Sequence, residues 1–301
     1  MSAEKIIYLE KKKYGNNSCY GYGISDENMA AAEAGGEFPV LRLRPEHLSA
    51  LGGEDGKLVP VAMLMGRDGD NYTADEPYVK SMLAAGMEPV FIHYGNVESQ
   101  LRDVCGLLLP GGSFDSPKEW YKHPELLKNH CLNSRSAAYI AACRYALSAG
   151  LPVLGICAGH QMMAGVFQPG LQMYARIPEE TAVSETHKGH KEDYIHKVEI
   201  SKDSRLYRIL GKSELEVNSN HNEAIIDRGT AYDKIRISAV SPEGIVEAWE
   251  ARDEKIFVLG VQWHPEYLAS EYRDKNAARL FEALAAEAYG FCQRKKNPVL
   301  F

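Results

Sequence analysis

The chain has 301 residues, 45% of them hydrophobic, with a formal net charge of −7 and a pI near 5.8. This supports a substantial core and argues against a nucleic-acid binder, because the compact basic runs Lys11-Lys12-Lys13 and Arg294-Lys295-Lys296 read as solvated surface near the ends. The early apolar stretch Ile6 to Leu9 is cut off by Glu10 and the lysines, so neither a signal peptide nor a membrane span is expected, and six cysteines without a C-x-x-C pair suit a reducing, cytoplasmic setting.

Residues 1–57 form an N-terminal extension whose role the sequence leaves open, with a strand at Ile6 to Leu9, a helix around Glu27 to Ala34 and a strand at Phe38 to Leu43. From residue 58 onward, apolar runs alternate with helical stretches, the pattern of a mostly parallel α/β sheet covered on both faces. Strands are expected at Val59 to Met65, Glu88 to His93, Gly106 to Leu109 and Leu151 to Ile156. One intervening helix is expected to begin at Asp75-Glu76-Pro77 and stop at Gly86, and another to span Ser136 to Leu147 and end at Gly150. After Phe167 the pattern changes to alternating strands at His196 to Ile200, Lys234 to Val240 and Ile245 to Trp249, the last two joined at Ser241-Pro242-Glu243-Gly244 as an antiparallel hairpin. A buried strand over Ile256 to Val261 and an amphipathic helix over Ala269 to Tyr289 close a domain assigned to residues 58–290, leaving 291–301 as a tail.

Within LPVLGICAGHQMMAGVFQ, Cys157 stands between Gly155 and Gly159, after a strand and before a helix. An isolated cysteine there would be a small buried hydrophobe. A G-x-C-x-G turn instead holds its central residue in a strained conformation at the start of a helix, which presents the sulfur and favours the nucleophilic thiolate. Such a nucleophile needs a base and a group to orient it.

Of the ten histidines, His264 lies directly beyond the strand IFVLGV, in Gln262-Trp263-His264-Pro265-Glu266. Extended backbone puts Glu266 on the same side as His264, so Cys157, His264 and Glu266 make a nucleophile, base and orienter. His187, His190 and His196 lie in a polar stretch whose spacing fixes no metal geometry, and no metal or organic cofactor is expected. Pro110-Gly111-Gly112-Ser113 can turn backbone N–H groups inward, and the Gly111 and Gly112 amides with that of Ala158 are the candidate oxyanion hole.

The ordered segments GLLLPGG, GLPVLGICAGHQ, VNSNHNEAI, SPEGIVEAWE and FVLGVQWHPE resemble class I glutamine amidotransferase-like hydrolases, and within them the peptidase C26 branch of γ-glutamyl hydrolases. The resemblance covers residues 58 to 290 and implies a flavodoxin-like fold with a Cys-His-Glu triad at Cys157, His264 and Glu266. Val217 to His221 and Glu243 to Ala248 are similar to the γ-glutamyl-γ-aminobutyrate hydrolase type, which with the local polarity makes Gln161, Asn218, Ser219 and His221 the candidate substrate-binding residues. Two features depart from that type: Ala158 stands where bacterial members often carry arginine, and Gln168-Pro169-Gly170-Leu171 lacks the usual Gly-Gly-x-Leu-x-Gln form.

The resulting expectation is a cysteine hydrolase that cleaves the γ-glutamyl amide bond of a small-molecule γ-glutamyl amine or peptide through a thioester, without nucleic-acid or membrane partners and with a homodimer allowed. A glutaminase subunit feeding ammonia to a separate synthase, and a silent binding protein of the same fold, are the alternatives.

Overall fold

The apolar runs of the sequence become short strands whose residues alternate between two faces. In the computed structural model, which describes residues 6–13, 20–34, 39–51, 58–183, 187, 189, 193, 196–271 and 273–296, Val61 and Met63 enter one hydrophobic cluster while Ala62 and Leu64 enter another. Leu108 and Leu107 divide in the same way, as do Leu154 and Val153. One cluster is closed by the helices Glu76–Ala84 and Lys275–Lys296 through Val79, Met82, Leu280, Phe281 and Leu284. The other is closed by Ser134–Ala149 and Ala158–Phe167 through Ala138, Tyr139, Ala142, Met162 and Met163. The result is an α/β fold with helices on both faces of a mixed sheet whose centre is parallel.

The sheet contains β1 (Ile6–Tyr8), β2 (Val40–Arg42), β3 (Val59–Leu64), β4 (Met87–Ile92), β5 (Gly106–Leu109), β6 (Val153–Ile156), β7 (His196–Ile200), β8 (Glu214–Val217), β9 (Ile235–Val240), β10 (Val246–Ala251) and β11 (Val258–Val261). Their spatial order is β1-β2-β4-β3-β5-β6-β11-β10-β9-β7-β8. From β4 to β11 every neighbour is parallel, and from β11 to β8 every neighbour is antiparallel. The expected hairpin joins β9 to β10, with the Gly244 N–H donating to the Ser241 carbonyl.

The N-terminal segment adds β1 and β2 to the sheet edge and buries Leu9, Tyr22 and Leu41 in the same core as Val61 and Phe91. Glu10–Lys13 and Tyr20–Ser25 join Asn71–Asp75 and Gly66–Asp68 in a second, antiparallel sheet, where Glu10–Lys13 is an edge strand with all four residues exposed. Where one C-terminal helix is expected, the chain forms two, Pro265–Glu271 and Lys275–Lys296. Asp274 starts the second by accepting from the N–H groups of Asn276 and Ala277, and that helix continues through the expected tail boundary to Lys296. Among the described residues no helix is long and apolar enough to cross a membrane. Cys19 and His190 lie outside the described residues.

Candidate active site

Three neighbouring parallel strands, β5, β6 and β11, end side by side and carry Pro110 to Gly112, Cys157 and His264 just beyond their C-terminal ends. Cys157 has φ +52° and ψ −115° and immediately precedes the helix Ala158–Phe167. A β-carbon at Gly159 would lie 2.1 Å from the Leu109 carbonyl oxygen, and one at Gly155 would lie 2.9 Å from the Met163 methyl. The two glycines therefore let the strand, the turn and the helix pack closely enough to hold Cys157 in its strained conformation.

His264 Nδ1 lies 2.7 Å from Glu266 Oε1, and both side chains are almost fully buried. This pairing fixes the ring's orientation and makes Nδ1 the donor to a carboxylate. Gly111 sits between the sulfur-bearing residue and the imidazole: a β-carbon built on it would be 3.0 Å from Cys157 Cβ and 3.1 Å from His264 Cε1. Cys157 and His264 thus face the same point from two sides.

The loop after β5 is anchored from below. Tyr139 donates to the Pro110 carbonyl at 2.7 Å, and Arg135 donates to the Gly111 carbonyl at 2.9 Å. The Gly111 N–H donates to the Tyr78 hydroxyl at 3.0 Å, so this amide, expected in the oxyanion hole, is turned toward Tyr78. Gly112 and Ala158 line the cavity in front of Cys157, a cleft of about 380 Å³ that also contains Asp115, Gln161, His221 and Glu223.

The four expected substrate-binding residues separate into two groups. Gln161 and His221 line the cleft, whereas Asn218 and Ser219 are fully buried behind it. Asn218 binds the backbone of His264, and the Ser219 hydroxyl donates to the His187 carbonyl at 2.6 Å. Gln161 Nε2 donates to the Glu223 carbonyl and to Gln262 Oε1, each at 2.9 Å. Asp115 and Glu223 join the cleft without having been expected there, although Glu223 stands within VNSNHNEAI, two residues after His221. Burial pushes the Glu223 carboxyl up to about 7, against the pull of the hydrogen bond from Tyr121, whose hydroxyl donates at 2.6 Å.

Behind the cleft, His187, His196 and His221 converge on Glu247, with one potential ligand atom from each lying within 4.8 Å of all the others. The polar stretch of the sequence therefore sends His187 and His196 inward, although their spacing gave no sign of it.

The sequence model of the peptidase C26 family matches residues 63–266. The chain is 32% identical over 163 residues to protein NtpR of Enterococcus hirae, a match covering 53% of this chain and 66% of NtpR. It is 28% identical over 220 residues to the γ-glutamyl-γ-aminobutyrate hydrolase PuuD of Escherichia coli, covering 66% of this chain and 81% of PuuD. The glutaminase domain of Trypanosoma brucei CTPS, solved with bound acivicin, superposes with a TM-score of 0.53 at 16% identity, covering 77% of this chain and 94% of that one, which is a likeness of fold.

Proposed function

The chain belongs to the peptidase C26 family, and we propose that it is a thiol hydrolase cleaving the γ-glutamyl amide bond of a γ-glutamyl amine or peptide. The similarity to PuuD supports the substrate class. The observation that carries the chemistry is the His264–Glu266 pair facing Cys157 across Gly111.

In this reading Cys157 Sγ attacks the γ-carbonyl carbon as His264 Nε2 takes the thiol proton. The developing imidazolium is held by Glu266, already bonded at Nδ1. The oxyanion is met by the N–H groups of Gly112 and Ala158, and losing one such donor costs about 3 kcal/mol of barrier. His264 then protonates the leaving amine, the C–N bond breaks, and a γ-glutamyl thioester remains on Cys157. Water, deprotonated by the same imidazole, releases glutamate and restores the thiol. Asp115 and Glu223 provide an acidic wall for the α-ammonium of the glutamyl group. The N-terminal segment belongs to this catalytic unit, since Leu9, Tyr22 and Leu41 are part of its core.

The deciding experiment compares kcat/KM for glutamine, γ-glutamyl-γ-aminobutyrate and a γ-glutamyl dipeptide with the chain alone. Preference for the γ-glutamyl amine or dipeptide is expected. Activity on glutamine alone, rising when a co-purifying synthase is added, would move the assignment to an amidotransferase subunit.

A further inference from the structure

Glu247 occupies a fully buried position on β10, and three histidines from other parts of the chain surround its carboxylate. Its Oε1 lies 3.2 Å from His187 Nδ1, 3.5 Å from His196 Nε2 and 3.6 Å from His221 Nε2. All three histidine side chains are at most 5% exposed. Among the described residues, none of these nitrogens and neither oxygen of Glu247 has a partner in the direction a hydrogen bond needs, although His187 Nδ1 is near enough to Oε1 for one. Buried polar atoms without partners are rare, and five converging on one small volume call for a common explanation.

The other nitrogens of two rings narrow that explanation. His221 Nδ1 lies 2.9 Å from the Glu223 carbonyl oxygen, and His196 Nδ1 lies 3.0 Å from the Lys197 carbonyl oxygen. A carbonyl can only accept, so each Nδ1 carries the proton and donates it. In the neutral imidazole this leaves a lone pair on Nε2, and both Nε2 atoms aim at a carboxylate. Lone pairs and an anion facing one another at this distance repel unless a cation stands between them. A backbone carbonyl holding the remote nitrogen is also the support commonly found behind a metal-bound histidine.

We propose that His187, His196, His221 and Glu247 form a structural site for a divalent transition-metal ion of the zinc type. Three imidazoles and one carboxylate suit zinc, and a tetrahedron with bonds of about 2.0–2.1 Å has edges of about 3.3–3.4 Å, close to the separations between Glu247 and the three nitrogens. Four protein ligands complete the coordination, so the ion is structural and takes no part in the attack by Cys157. It ties together β7, β10, the segment at His187 and the loop after β8. The same loop contains Asn218, which binds the His264 backbone, and His221 and Glu223, which line the cleft. The ion thus fixes the back wall of the cleft, whichever amide is cleaved there.

The test uses the full chain with Cys157→Ala, which removes that thiol as a ligand. The protein is stripped with a chelator, dialysed and titrated with Zn2+ alone, and bound metal is counted by elemental mass spectrometry. About one tightly held zinc per chain is expected, together with a thermal midpoint that rises on zinc addition. Co2+ in its place should give the d–d absorption of a four-coordinate ion without a thiolate charge-transfer band. His196→Asn and Glu247→Gln should each abolish metal retention, the cobalt spectrum and the zinc-dependent rise. Should either variant not fold, the chain with all four ligands decides alone. No retained metal, no cobalt spectrum and no change in midpoint overturn the site and leave a cluster held by imidazolium protons. Metal held with a thiolate band, or retained undiminished in folded variants, lies elsewhere and overturns it equally.

Discussion

The Asn218 side chain and the His264 backbone bind each other twice, Nδ2 donating to the His264 carbonyl and Oδ1 accepting from the His264 N–H, each at 2.8 Å. An amide is the group that can both donate and accept in this geometry, so Asn218 acts as a positioning residue for the proposed base. Asn218→Ala leaves both backbone groups buried without this partner, at a cost of about 1–3 kcal/mol of stability. Release of the imidazole from its position should lower kcat by about a hundred-fold with little change in KM. Steady-state kinetics beside a thermal melt test this, and a variant that loses stability but keeps its kcat would remove Asn218 from the mechanism.

Cys157→Ala should abolish turnover while the fold persists, because the smaller side chain removes the sulfur without adding bulk at the turn. Residual activity above about a hundredth of the parent would count against a covalent route, whose loss normally costs several powers of ten. In the parent protein, iodoacetamide should modify Cys157 ahead of the buried Cys105 and Cys143, whose thiols burial pushes up, Cys105 to about 12. Peptide mapping of the alkylated chain reads the order directly.

The two partners of the buried dyad should differ in their effect. His264→Ala removes the proposed proton carrier, whereas Glu266→Gln keeps a hydrogen-bonding group beside Nδ1 and loses only its charge. The histidine variant is therefore expected to be the slower in kcat. A glutamine variant as fast as the parent would exclude Glu266 from catalysis.

Gly111→Ala should lower activity by a different route. The new methyl group would stand 3.0 Å from Cys157 Cβ and 3.1 Å from His264 Cε1, forcing the proposed nucleophile and base apart. A loss of at least about ten-fold in kcat is expected, together with slower alkylation of Cys157. Unchanged rates of turnover and alkylation would mean that the two residues do not work across this point.

Glu223 gives the cleft a pH dependence. With its carboxyl held near 7, chiefly by burial, the group is mostly protonated below that pH and ionised above it. A substrate carrying an α-ammonium gains an opposite charge as pH rises through about 7, so KM should fall, by about ten-fold between about pH 6 and pH 8. Glu223→Gln should flatten this profile and leave a KM close to that of the parent at low pH. A parent KM independent of pH over this range would remove Glu223 from substrate binding.

What the sequence made legible was local. Apolar runs bounded by Gly and Pro marked the central strands, and Gly155 and Gly159 around Cys157 marked the turn, because each signal lies within a few residues of its consequence. His264 and Glu266 were readable as a pair because they stand two residues apart beyond one strand, although Glu266 reaches the ring from the first turn of the helix Pro265–Glu271 and not from the extended backbone expected. Asn218 stands in a polar run that points toward a substrate, and nothing local reveals that its partner is the backbone of residue 264. The histidine cluster was hidden more completely: its residues come from four separated segments, and the order β10-β9-β7-β8 brings Glu247, His196 and the loop with His221 together. In the N-terminal segment the strands at Ile6–Tyr8 and Val40–Arg42 and the helix Asp26–Glu33 were legible, but their place was not, because the segment joins the rest of the chain through Tyr20–Ser25 on Asn71–Asp75 and β2 on β4.

The edge strand Glu10–Lys13 has a bearing on how copies of this molecule tolerate one another at high concentration. Among the described residues it pairs with Tyr20–Ser25 on one side and ends the second sheet on the other. An open strand edge is a template on which another chain can extend the sheet, and lysines oppose that docking because a joining strand would have to strip water from their ammonium groups. Lys11, Lys12 and Lys13 occupy three successive positions of this strand and all are exposed. With valines in their place, the same backbone would become a seed for ordered aggregation.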